Sequence, residues 1–216
     1  MKRLAEVLLA LLVLLLFLLA TPAHAATDVW LFYGAGPHFF STGVDAIARW
    51  ARHTRGVTSV HVSDYRDTQA AYDFLRAQPS DHRIVVGGYS CGSNASLVVA
   101  GSLTRTVHLA ILQPSIWCGR YPATGNMRLL QNTYSFGTLG LGAYTPDGPA
   151  QQIINIDRRN AHLRGDNDRD SQRDVLAVVT ATADPERRHW WFWNRLHRTT
   201  NFVRRRGNTT WLEGVE

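Results

Sequence analysis

Residues 83–104 read RIVVGGYSCGSNASLVVAGSLT. The apolar run from Ile84 to Gly87 has the composition of a buried strand. Gly88-Tyr89-Ser90-Cys91-Gly92 then spells G-x-S-x-G, and a stretch of small residues with helical character follows. A serine between two glycines in a strand–turn–helix setting is the pattern of a nucleophile elbow, in which a strained turn lifts the hydroxyl above the end of a sheet. Glycines two positions to either side admit the tight fold without Cβ clashes. The helix after the turn aims its first N–H groups back at the serine, where they can hold a developing oxyanion. The alternative is an ordinary glycine-rich strand–helix loop of the phosphate-binding kind. Against it, no lysine follows the glycines and the dinucleotide spacing of glycines is missing.

Outward from this stretch, strand and helix patterns alternate. Asp28 to Gly34 and Val57 to Val62 have strand character, as do Val107 to Leu112, Met127 to Gln131 and a last run from Gln151 to Ile156. Ser41 or Thr42 can cap a helix whose apolar positions Val44, Ile47, Ala48 and Ala51 keep the helical period. Asp67 or Thr68 opens a second helix, stopped by Pro79, and Asp168 or Asp170 opens one through Val175 and Val179. This alternation predicts an α/β fold, a single domain with a mostly parallel sheet flanked by helices.

The ends of the chain differ from this body. Lys2 and Arg3 precede an unbroken apolar run from Val7 to Ala20, and Ala23-His24-Ala25 supplies a small-x-small cleavage pattern. The run is shorter than the ~20 residues a spanning helix needs. Residues 1–25 are therefore expected to be an export signal, placing the mature protein in the periplasm or outside the cell; an uncleaved anchor is the alternative. Residues 26–184 form the expected domain. The C-terminal segment, 185–216, is basic and aromatic, with seven arginines against three glutamates in 186–216.

Net charge is +6, and most of it lies in that segment. The body is near neutral, which disfavours a nucleic-acid partner. At helical spacing Trp190, Trp193 and Leu196 share a stripe, so 186–206 suits either a membrane-surface helix or a helix packed on the body, and packing is the commoner use. Of two cysteines, Cys91 and Cys118, an exported protein admits a bridge. Two buried thiols are the alternative, and sequence separation decides neither.

A serine nucleophile needs a base, and histidine titrates near working pH. His108 falls inside a strand and His189 and His197 in the C-terminal segment. That leaves His162, after the last strand run, as the candidate. Between Ser90 and His162 the only carboxylates are Asp147 and Asp157. In a parallel sheet Asp147 sits at the wrong end of its strand and Asp157 at the catalytic end. Asp157 is therefore the expected orienting acid, with a Ser–His pair held by an amide or carbonyl as the rival and Asp64 as an outsider. The loop YGAGPHFFSTG offers the N–H of Ala35 as an oxyanion donor beside that of Cys91, and Phe39 and Phe40 suit an acyl or aromatic group.

Gly34-Ala35-Gly36, the elbow Gly88 to Gly92 and the late His162 resemble the α/β-hydrolase superfamily, in particular its compact, cutinase-sized bacterial serine hydrolases. The resemblance covers the chain up to about Asp184. It implies a small α/β-hydrolase core with Ser90 as nucleophile, His162 as base, and Ala35 and Cys91 as oxyanion donors. At the family's usual acid position this chain reads LLQNTYSFG, without a carboxylate. The expected activity is hydrolysis of a small-molecule or lipid ester through an acyl-enzyme on Ser90. Amidase or peptidase chemistry, or a degenerate hydrolase fold serving as an envelope-associated binding module, are the alternatives. No HExxH, cysteine cluster or P-loop points to a metal or organic cofactor.

Overall fold

A computed structural model describes residues 26–36, 41–135, 144–158, 165–184, 200–206 and 209–214. Its strands are β1 (Thr27–Phe32), β2 (Val57–Ser63), β3 (Arg83–Tyr89), β4 (Val107–Leu112), β5 (Met127–Tyr134), β6 (Ile153–Asp157), β7 (Thr200–Arg206) and β8 (Thr209–Gly214). The helices are α1 (Thr42–Arg52), α2 (Thr68–Ala77), α3 (Cys91–Ser102) and α4 (Arg169–Ala183). The strands form one sheet in the order β2-β1-β3-β4-β5-β6-β8-β7. All neighbours pair in parallel except β7, which lies antiparallel on β8 at the edge. The single α/β domain expected from the alternating patterns is what the chain forms.

Both faces of the sheet are covered, which is why its central strands carry unbroken apolar runs. On one face Val29, Leu31, Val85 and Leu112 pack with Val44, Ile47 and Ala51 of α1 and Val175 and Val178 of α4. On the other, Phe32, Ile84, Val86 and Ile111 pack with Leu75 of α2 and Leu97 and Val99 of α3. Helix α1 is amphipathic, with Arg49 and Arg52 in its last turn, where cations favour the helix dipole. Helix α3 is buried nearly all round, from Cys91 through Leu97, and its small residues let it lie close to the sheet.

Two readings change. The run Gln151 to Ile156 is not the last strand: β6 spans Ile153–Asp157, and two further strands follow. The helix expected over 186–206 does not extend through its C-terminal part, because Thr200–Arg206 pairs with Thr209–Gly214 as a hairpin continuing the sheet. Thr200, Phe202 and Val203 are β-branched or aromatic, and pairing with β8 satisfies backbone groups that a lone strand would leave open. Thr200–Arg206 and Thr209–Gly214 therefore extend the sheet beyond β6. Trp190, Trp193 and Leu196 lie outside the described residues.

The strand order places the site. The chain runs from β1 outward to β2, then returns to the other side of β1 to make β3. The helix after β1 packs on one face and the helix after β3 on the other. The loops leaving β1 and β3 therefore diverge at their C-terminal ends, and in open α/β sheets ligands bind in such a crevice.

Candidate functional site

Ser90 stands at this switch point, between β3 and α3, with φ 54° and ψ −123°. A non-glycine residue rarely adopts this conformation, and it persists only where the surroundings over-determine it. Here they do. Ser90 N–H donates to Leu112 O at 2.9 Å, and Ser93 N–H to Ser90 O at 2.9 Å. Ser93 Oγ lies 2.7 Å from both Gly88 O and Leu112 O and accepts from Leu112 N–H at 3.1 Å. A Cβ on Gly88 would come within 2.5 Å of Gly92, and one on Gly92 would strike the backbone of Phe32 and Tyr33. Both glycines of the motif are therefore required by close backbone approach.

The loop after β1 lies against this turn. A Cβ on Gly34 would stand 3.1 Å from Ser90 Cβ. Gly34 N–H donates to Ser41 Oγ at 3.2 Å, so Ser41 braces this loop and does not cap α1 with its side chain. Tyr33 Oη donates to Asp45 Oδ1 at 2.5 Å, and Gly36 takes φ 103°. Ala35 follows Gly34 in this loop. Cys91 opens α3, so its N–H is among the first-turn donors that have no acceptor within the helix. Phe39 and Phe40 lie outside the described residues.

Cys91 and Cys118 form a disulfide across a Cα separation of 5.3 Å, which resolves the open alternative in favour of the bridge. It ties the residue after Ser90 to the loop leaving β4. Asn94, on the first turns of α3, holds the same loop: its Nδ2 donates to Ser115 O at 2.9 Å and to Gly119 O, and its Oδ1 accepts from Ser115 N–H at 3.0 Å. The loop presents Ile116, Trp117 and Tyr121 to solvent, with Trp117 70% exposed. Beside it Arg120, Tyr121, Tyr134 and Tyr144 line a pocket of about 410 Å³. Burial raises the Tyr144 phenol above its usual range, and its Oη accepts from Tyr121 N–H at 3.3 Å.

The candidate base, His162, lies outside the described residues, but both ends of its segment are placed. The segment leaves the sheet at Asp157 and Arg158 and is described again from Gly165. Asp157 is at the C-terminal end of β6, opposite Tyr134, as strand polarity predicts. That end is three strands from β3, a lateral distance of roughly 14 Å at about 4.8 Å per strand. Gly165 packs on the Gln113 side chain, whose amide would have to shift to admit a Cβ there. Gln113 follows β4 with a positive φ of 47° and donates its N–H to Thr133 O at 2.7 Å. Asp166 comes next, and its carboxylate accepts from Gly43 N–H at the start of α1, 2.9 Å away. The segment thus returns from β6 to the β1–β3 side of the sheet.

Asp166 is wholly buried. Burial pushes its carboxyl up to about 6, opposed by the backbone N–H groups of Gly43, Asn167 and Asp166 itself. Asp166 follows His162, beyond the interval from Ser90 to His162 in which the orienting acid is expected, and nothing local in RGDND sets it apart from its neighbours. Of the other acids considered, Asp64 pairs with Arg66 at 2.8 Å. Asp147 O accepts from Ala123 N–H, ahead of β5, which puts Asp147 toward the N-terminal side. Among the described residues no group of His, Cys, Asp and Glu could hold a metal ion, and no helix is long and apolar enough to cross a membrane.

Compared with protein-family models and with curated proteins, the chain matches none.

Proposed function

We propose that this protein is an exported serine hydrolase of the α/β-hydrolase kind, cleaving an ester through an acyl-enzyme on Ser90. The observation that carries the reading is the backbone of Ser90, a strained non-glycine turn between a central parallel strand and a buried helix. Such strain is kept where it aims a reacting group. Ser90 Oγ attacks the ester carbonyl while His162 takes its proton. The N–H groups of Cys91 and Ala35 receive the oxyanion, and the alcohol leaves with the proton from His162. Water activated by the same imidazole then releases the acid.

Two carboxylates flank the His162 segment and compete to orient the imidazole. A serine–imidazole–carboxylate chain spans about 8 Å, two hydrogen bonds and a ring. Asp157 stands three strands from the elbow, whereas Asp166 lies on the elbow side, near enough to Tyr89 to add to the burial that pushes its phenol up. Distance therefore favours Asp166 over Asp157. Any membrane-surface helix in the C-terminal segment is confined to 186–199, since β7 begins at Thr200.

A fluorophosphonate probe tests the reading directly. Covalent labelling that maps to Ser90 and competes with ester substrate is the expected result. A folded protein that resists the probe is a binding module on a hydrolase-like scaffold.

A further inference from the structure

The opposite, N-terminal edge of the sheet carries a cavity of about 420 Å³ whose walls include Asp81, Arg83, Arg105, His108, Arg128 and Thr182. The Arg83 guanidinium donates to Thr182 O at 2.7 Å. That of Arg105 donates to Gln78 O at 2.9 Å and Pro79 O at 2.8 Å. These carbonyls lie at or just beyond the C-terminal ends of α4 and α2, where C=O groups carry partial negative charge. The bonds fix both guanidinium groups in place without a full countercharge. Neither makes an ion pair among the described residues.

Arg128 differs from both. Pairing of β4 with β5 steps from Val107↔Met127 to His108↔Leu129, so Arg128 sits at a register shift of the β-bulge kind, without a partner on β4. Bulges re-aim a side chain out of the regular alternation, often at functional sites. Arg128 is exposed and makes no side-chain hydrogen bond or ion pair among the described residues. Thr182 is 2% exposed, and its Oγ1 also lacks a partner among them. Three guanidinium groups thus surround one cavity whose walls, among the described residues, hold a single carboxylate, Asp81.

We infer that this cavity binds a phosphate monoester. The free fork of Arg128 matches two phosphoryl oxygens. Arg83 and Arg105 supply the field that a second negative charge requires, and a carboxylate would use only part of it. The Thr182 hydroxyl is a further donor at the wall. The cavity exceeds a bare phosphate, which leaves space for the organic group of the ester.

Isothermal titration of the purified protein with glycerol 1-phosphate at low ionic strength tests this, with acetate at equal ionic strength as comparator. Saturable one-to-one binding of the phosphate ester, at least tenfold tighter than of acetate, is expected. Arg128→Gln should weaken it at least tenfold without changing the melting temperature. Arg120→Gln removes the same charge at the other edge and should leave binding unchanged. Absence of both saturable binding and Arg128-dependent pelleting with phosphatidate vesicles, or equal weakening by the two substitutions, overturns the inference. Pelleting with phosphatidate vesicles that is lost in Arg128→Gln, in the absence of a response to glycerol 1-phosphate, would keep the site and name a lipid headgroup as its source. Ester hydrolysis plays no part in these readouts, so they stand apart from the Ser90 proposal.

Discussion

The carboxylate of Asp166 accepts the N–H of Gly43 at 2.9 Å, joining the start of the first helix to a residue 123 positions later. Gly43 has no room for a Cβ because the Asp166 backbone fills that space. This contact closes the β6–α4 connection over the elbow side of the sheet and buries an ionisable group to do so.

The burial gives a pH signature. The carboxyl titrates at about 6 in the folded protein against a usual 3.8, so between these values the folded state holds more protons than the unfolded. Its contribution to stability is full below about pH 4 and is lost as pH rises through about 6. Asp166→Asn keeps an acceptor for Gly43 and removes the buried charge. The variant should exceed wild type by roughly 2–3 kcal/mol at pH 7 and match it near pH 4. Urea titrations at the two pH values read this out, and a difference independent of pH would contradict the burial argument.

Ser90→Ala should lower p-nitrophenyl ester hydrolysis by several decades and leave the far-ultraviolet circular dichroism unchanged, since only oxyanion and binding contributions remain. Ser90→Gly should be equally inactive yet more stable than Ser90→Ala by about 1 kcal/mol, because glycine adopts φ 54° without strain. Activity within tenfold of wild type in either variant removes Ser90 from the mechanism.

His162→Gln should be nearly as damaging as loss of the serine, and the double variant no worse than either, because the two act as one unit. Wild-type kcat/KM should rise with pH along a limb near the histidine range. Asp166→Asn should cost more activity than Asp157→Asn, and Asp147→Asn least. The reverse order of the first two would show that the segment carries Asp157 to the imidazole despite the three-strand separation.

Reduction of the Cys91–Cys118 bridge reopens a loop of sequence separation 27. The chain-entropy relation puts its contribution near 3.5 kcal/mol. Urea midpoints with and without dithiothreitol, alongside a Cys91→Ser/Cys118→Ser variant, should show a loss of that order. Because the bridge adjoins the proposed oxyanion donor, kcat should fall more than KM rises. A change confined to stability would make the bridge a staple only.

If the C-terminal segment docks on membranes, the protein should sediment with anionic liposomes, and salt should weaken the association. Trp190, Trp191 and Trp193 changed together to Ala should abolish sedimentation while the cooperative melt survives. A triple variant that loses its melt places those rings in the core.

The elbow was legible in residues 83–104 because its signals are local: a buried strand needs an apolar run, the turn needs glycines where backbones touch, and the helix over it needs small residues. The same holds for α1, whose stripe Val44, Ile47, Ala48 and Ala51 matches the helical period. Long-range pairing decided the rest. The basic and aromatic run 186–206 suits an amphipathic helix, yet over Thr200–Arg206 the edge of β8 offers a backbone ladder instead. Cys91 and Cys118 meet because β3 and β4 are neighbours in parallel, a fact no spacing contains. Asp166 reaches Gly43 only because the chain recrosses the sheet after β6. The residues and periodicities determined an α/β domain with a strained serine turn. Which distant groups surround that serine was set by strand order, since proximity across a sheet depends on which edges pair and not on separation along the chain.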